Sequence, residues 1–144
     1  MVTFADTSFL FSLYGSDPNT PKAVAWISRH RNPIMITAFG RYELANAVRF
    51  AEFKGTVAPG KSSVFWSEFE SDLTSGRIVP QTCNLAEVID EATRISEKHT
   101  VARGHRSFDI LHVAAAVVLR GDFFLTFDVN QRRLAVAESL KCPV

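Results

Sequence analysis

The chain has little sulfur. Its two cysteines, Cys83 and Cys142, lie far apart and belong to no paired-cysteine motif. A thiolate metal centre has no ligand set here, and a reduced, cytoplasmic protein is the simplest expectation. Excess charge is lacking too. Sixteen Lys and Arg stand against fifteen Asp and Glu, for a net charge of +1. No broad basic field advertises a nucleic-acid binder, so phosphate contacts must come from local clusters. Long apolar runs are missing: the longest, from Ile110 to Leu119, is broken by His112 and is too short to cross a bilayer. The N-terminus has no charged segment leading into a long apolar stretch, so no signal peptide is expected. The seven glycines supply no glycine-rich turn after the first apolar segment, which argues against a dinucleotide binder.

What remains is the composition of an ordinary globule, 47% apolar and 22% charged over 144 residues. That length suits one domain with one core. The pattern alternates short apolar strands with amphipathic helices. Strands are expected at Val2 to Asp6, Ile34 to Thr37, Arg77 to Pro80 and Phe123 to Asp128, with a weaker edge strand at Lys141 to Val144. Helices are expected at Thr7 to Tyr14, from Thr20 to near Asn32, at Ala38 to Phe53, from Pro59 to Gly76, from Asn84 towards Thr100, at Phe108 to Leu119, and after Asp128. Thr100 to Arg106 reads as a polar, basic connection. Strands alternating with helices imply a parallel sheet covered on both faces: an α/β chain in three layers, α/β/α, with four or five strands. No repeat, low-complexity tract or linker divides residues 1–144.

Two strands end in a carboxylate. Val2-Thr3-Phe4-Ala5-Asp6 is followed by Thr7 and Ser8, and Phe123-Phe124-Leu125-Thr126-Phe127-Asp128 repeats the grammar. In open α/β sheets, ligands bind outside such strand ends. Either Asp could simply cap the helix after it. Glu43 falls on the stripe of Phe39, Ala47 and Phe50, where a carboxylate needs a partner. Asp109 opens a helix that is apolar on nearly every side, and such a helix is buried. Its helix N-terminus favours an anion by only about 0.3–1 kcal/mol, so Asp109 needs solvent, a cation, or an ion pair with Arg106. Glu43 and Asp109 are both placed in first helical turns. Four acids at one rim repel one another unless a cation joins them. Oxygen-only ligands point to a hard ion, Mg²⁺ or Mn²⁺. The hydroxyls of Thr7, Ser8 and Thr126 are placed to hold carboxylates or water, and His112 reads as a core histidine before a ligand. The alternatives in this fold class lack their residues: a phosphoaspartate phosphatase wants an Asp where Ser8 stands, and a receiver domain wants further acids and a late Lys.

Four segments in order carry a family resemblance: Ala5-Asp6-Thr7-Ser8-Phe9-Leu10, Arg41-Tyr42-Glu43-Leu44-Ala45-Asn46-Ala47, Phe108-Asp109-Ile110-Leu111-His112-Val113-Ala114-Ala115-Ala116, and Leu125 to Ala135 around Thr126 and Asp128. Together they resemble PIN-domain ribonucleases, and among those the VapC-type toxins of type II toxin–antitoxin systems. Residues 55–105 match only in general pattern. The resemblance implies one PIN domain over 1–144 and an endoribonuclease whose catalytic acids are Asp6, Glu43, Asp109 and Asp128. Asp6, Asp109 and Asp128 would hold Mg²⁺ or Mn²⁺, and Glu43 would orient water. It also implies a homodimer and an inhibitory antitoxin partner. Arg103, His105 and Arg106 would meet the RNA backbone. Phe65, Trp66 and Phe69 offer either core or a partner surface. A non-catalytic PIN-fold module held by an antitoxin is the alternative function.

Overall fold

The computed structural model describes residues 1–144. Strand β1 (Thr3–Ala5) is central, and the sheet runs β3 (Ile78–Gln81), β2 (Ile34–Thr37), β1, β4 (Phe123–Leu125). All pairings are parallel, with Phe4 beside Met35 on one side and Phe124 on the other. The expected fifth strand contributes a single bridge from Lys141 to Phe123, so the sheet has four strands.

Successive side chains along a strand point to opposite faces, and this divides the core in two. Ala5, Ile34, Ile36 and Leu125 meet α1 (Thr7–Tyr14), α2 (Thr20–Arg29), α3 (Ala38–Phe53) and α4 (Lys61–Ser75) through Phe9, Ile27, Leu44 and Phe69. Phe4 and Phe124 meet α5 (Leu85–Arg103), α6 (Ser107–Val118) and α7 (Val129–Ala137) through Val88, Val113 and Leu134. Each fully buried large side chain stabilises the fold by about 1.5–3 kcal/mol. The result is the expected three-layer α/β/α arrangement. None of its helices is long and apolar enough to cross a membrane.

Several local expectations shift. In α3 the buried stripe is Gly40, Leu44, Ala45, Val48 and Ala51, and Phe50 is exposed. Apolar residues surround this helix, so residue type alone does not set its phase. Glu43 is the sixth residue of α3 and lies in its second turn, not its first. Helix α5 continues to Arg103 and is stopped by Gly104 at φ 66°, so most of the expected connection is helical. Only glycine adopts that left-handed backbone without cost. Ser107 is helical, and Arg106 takes the cap position without a side-chain cap. Phe65 and Phe69 are core, which leaves Trp66 as the partly exposed aromatic of α4.

Candidate active site

The site is built at the carboxyl ends of β1 and β4. The Asp6 amide donates to the Leu125 carbonyl at 3.0 Å, which locks the two strand ends together. Asp6 then caps α1, its Oδ1 accepting from the Phe9 amide at 2.9 Å. The Ser8 hydroxyl reaches both carboxylate oxygens, at 2.8 and 2.9 Å, and the Thr126 hydroxyl donates to Oδ2 at 2.6 Å. Those hydroxyls also accept, Ser8 from the Phe127 amide at 2.9 Å and Thr126 from the Asp128 amide at 3.0 Å. Burial pushes the Asp6 pKa up to about 6; the Thr126, Phe9 and Ser8 hydrogen bonds and the His112 charge hold it from rising further. Asp6 is therefore an anion kept in place at a cost, which a nearby cation would remove.

Asp128 is half-buried and caps α7, accepting from the Gln131 amide at 2.8 Å. Asp109 sits in the first turn of α6. Arg106 joins the two: its Nε lies 2.9 Å from Asp109 Oδ2, and its terminal nitrogen 3.6 Å from Asp128 Oδ2. The Arg106 side chain is nevertheless 77% exposed. This is the ion pair that the sequence left open as an alternative.

Glu43 comes from the other flank. It accepts from the Thr7 hydroxyl and, at 2.5 Å, from His112 Nε2. Burial acts to raise its pKa, but the His112 hydrogen bond and charge, with Thr7 and Arg106, bring it below the ordinary value. Gly40 packs closely on the end of β2: a Cβ there would lie 3.2 Å from Thr37 Oγ1 and 3.3 Å from Ile36 Cγ1, with the His112 ring at an ordinary 3.6 Å. His112 is buried, as a core histidine should be, and it is also the partner of Glu43. Sequence reasoning missed that pairing. The available signal was the three-residue spacing from Asp109, which puts both side chains on one flank of α6.

All four acids, with Thr7, Ser8 and Arg106, line one open cleft of about 460 Å³. Asp17 lines it too and was not anticipated. Its carboxylate is occupied by the Ser12 hydroxyl at 2.7 Å and by the Asn19 and Thr20 amides, so it serves to start α2. No three carboxylates, thiols or imidazoles converge as a ready-made metal centre. The donors still suit a hard divalent cation. They are oxygens, one is costly to ionise without a cation, and a guanidinium already spans two of them. Asp6, Asp109 and Asp128 are the carboxylates of the cleft that could hold such an ion, with Arg106 displaced from two of them.

The basic residues before α6 do not form the expected cluster. His105 is buried with neither ring nitrogen hydrogen-bonded. Burial pushes its pKa down, so it offers no positive charge to a phosphate near neutral pH. Arg106 is engaged with the acids, and Arg103 alone stands exposed and without an ion-pair partner.

The family model described as the PIN domain matches residues 3–137. The chain belongs to the PIN domain family. Members are in general nucleases that depend on divalent metal. Two solved structures resemble this PIN domain. One is PAE2754 from Pyrobaculum aerophilum, at 19% identity over 99% of this chain and 83% of the other, with TM-score 0.63. Another is FitAcB from Neisseria gonorrhoeae, at 17% identity over 98% of this chain and 96% of the other, also at 0.63. At such identities the likeness is one of fold. No curated protein matches the sequence.

Proposed function

We propose that this PIN domain, as a single unit over residues 1–144, is an Mg²⁺- or Mn²⁺-dependent endoribonuclease. We read it as the VapC-type toxin of a toxin–antitoxin pair, cytoplasmic and homodimeric. The observation that carries the nuclease reading is the convergence of Asp6, Glu43, Asp109 and Asp128, from four different elements, on one cleft at the carboxyl ends of β1 and β4. Asp6, Asp109 and Asp128 would hold the ion. Bound there, it would lower the pKa of water and neutralise charge developing on the phosphorus centre and leaving oxygen.

The chain's own groups supply the rest. Ser8 and Thr126 fix both oxygens of Asp6, so this ligand is oriented before anything binds. Glu43 is held as a carboxylate by His112 and Thr7, both on Oε2, which leaves Oε1 to orient the attacking water. His112 steadies that carboxylate from the buried side. Arg103, exposed and without an ion-pair partner, would meet the RNA backbone. Arg106 would join it only after leaving Asp109 and Asp128.

The toxin reading has its own test. Expression of the wild type without a partner should arrest bacterial growth, and expression of Asp109→Asn should not. Equal growth of both strains, with soluble protein in each, would remove the toxin assignment and leave the nuclease one standing.

A further inference from the structure

The first turn of α7 holds a side chain that helix capping does not explain. Asp128 caps α7, and Gln131 follows at the third helical position. A polar cap with Gln three residues on is the pattern of a capping box. There the cap side chain takes the amide of the third residue, and the Gln oxygen takes the amide of the cap. Only the first half is made here. Asp128 Oδ1 accepts from the Gln131 amide at 2.8 Å, but the Asp128 amide donates to the Thr126 hydroxyl at 3.0 Å. The oxygen of Gln131 is left over.

The other end of the side chain is fixed. Gln131 Nε2 donates to the backbone carbonyl of Asp109 at 3.3 Å, which joins α7 to the first turn of α6. A carbonyl only accepts, so the amide nitrogen must face Asp109 and Oε1 must face away from it. No group of the chain donates to Oε1. Gln131 is 2% exposed, yet it lines the same cleft as the four acids. The polar side-chain atoms sealed from solvent without a partner belong to Thr3, Trp26 and His105, so Oε1 keeps an opening to solvent. The solvent beside Gln131 is the cleft.

Burying an amide with one end unpaired is costly, and an apolar side chain of the same shape would avoid that cost. Stability of the fold thus gives no reason for Gln at this position. The cleft does. Side-chain amide oxygens ligate hard divalent cations or hold their waters. Unlike a fifth carboxylate, an amide adds no like charge to four acids that already repel one another.

We infer that Gln131 belongs to the metal site, with Nε2 anchored on Asp109 and Oε1 turned to the coordination shell of the divalent ion. The inference rests on the metal-dependent reading above and adds a neutral oxygen to its acids.

Metal binding, measured without RNA, tests it. Gln131→Met keeps the shape and removes the amide. Gln131→Glu keeps an oxygen at this place, but its carboxylate cannot donate to the Asp109 carbonyl. In calorimetry with Mg²⁺ or Mn²⁺, Gln131→Met should raise the dissociation constant about tenfold or more. In chelator it should melt within a few degrees of the wild type, because the apolar side chain leaves no unpaired group. Gln131→Glu should bind either ion at least as tightly as the wild type. In chelator it should melt below the wild type, because a fifth acid joins the rim. Wild-type affinity in Gln131→Met would overturn the inference. So would a Gln131→Glu protein that binds as weakly as Gln131→Met, which would leave Gln131 a tether between α6 and α7. If Gln131→Met does not fold, Gln131→Glu decides alone, and binding weaker than the wild type overturns the inference. A wild type that binds neither ion would remove the metal-dependent reading itself, and the part of Gln131 with it.

Discussion

Asp6→Asn should abolish RNA cleavage and at the same time make the metal-free protein more stable. Two opposite effects from one substitution follow from where Asp6 sits. Its carboxylate is buried, and burial raises its pKa from 3.8 to about 6. Near neutral pH it is ionised at a cost of roughly 3 kcal/mol, from a shift of about two units at 1.36 kcal/mol each. The sign is fixed by proton binding. Between pH 4 and 6 the folded state holds more protons than the unfolded state, so stability falls as pH rises through the folded pKa. Asparagine has no charge to bury, and its oxygen still accepts from the Phe9 amide. The mutant should therefore melt several degrees above the wild type at pH 7.5 without metal, and the gap should close below about pH 4. Activity moves the other way. Loss of a ligand that supplies charge stabilisation of several kcal/mol corresponds to about a thousandfold or more in rate. Thermal melts across pH, run beside an RNA cleavage assay, check both halves. A mutant less stable than the wild type at pH 7.5 would mean that Asp6 is a structural cap and nothing more.

Removal of Arg106 should tighten metal binding. Its guanidinium neutralises Asp109 and Asp128 in the absence of an ion, so metal must displace it. Because the side chain is largely exposed, the competing pair is worth about 1 kcal/mol at most. Arg106→Ala should then lower the Mg²⁺ or Mn²⁺ dissociation constant a few-fold, up to about fivefold, in isothermal calorimetry. In metal-free protein, where Arg106 stays on the two acids, the salt dependence of RNA binding should change little in that variant. Arg103→Ala, by contrast, removes one phosphate contact and should flatten the slope of log K against log salt by about 0.7. If Arg106→Ala flattened the slope and left metal affinity unchanged, Arg106 would be an RNA contact with no part in the metal site.

The sheet and the rim were legible because they depend on near-neighbour rules. An apolar run ending in Asp before a helix reads as a strand followed by a cap, and Asp6 and Asp128 are both caps. Parallel pairing then sets the ends of β1 and β4 side by side. The hydroxyls of Thr7, Ser8 and Thr126 were placed beside carboxylates for the same reason, and each holds one. Features set by packing were harder to read. Apolar residues encircle α3, so sequence did not reveal that Leu44 and Val48 face inward and Phe50 outward. Thr100 to Arg106, with its glycine and basic residues, resembles a loop, yet its first four residues continue α5 until Gly104 ends the helix. His105 carries no mark of its burial, which depends on how α5 turns into α6. The link from His112 to Glu43 spans 69 positions and exists only once α3 and α6, from opposite layers, meet beyond the carboxyl ends of the strands.

The central claim is that four carboxylates from four elements make one metal-dependent site for RNA hydrolysis. Its most direct test is cleavage of a mixed-sequence single-stranded RNA by purified, partner-free protein. The assay compares Mg²⁺, Mn²⁺ and excess chelator, with Asp109→Asn as the paired control. Cleavage with either ion, lost with chelator and lost in Asp109→Asn at unchanged thermal stability, is the predicted result. Cleavage that persists in chelator, or that survives Asp109→Asn undiminished, would contradict it.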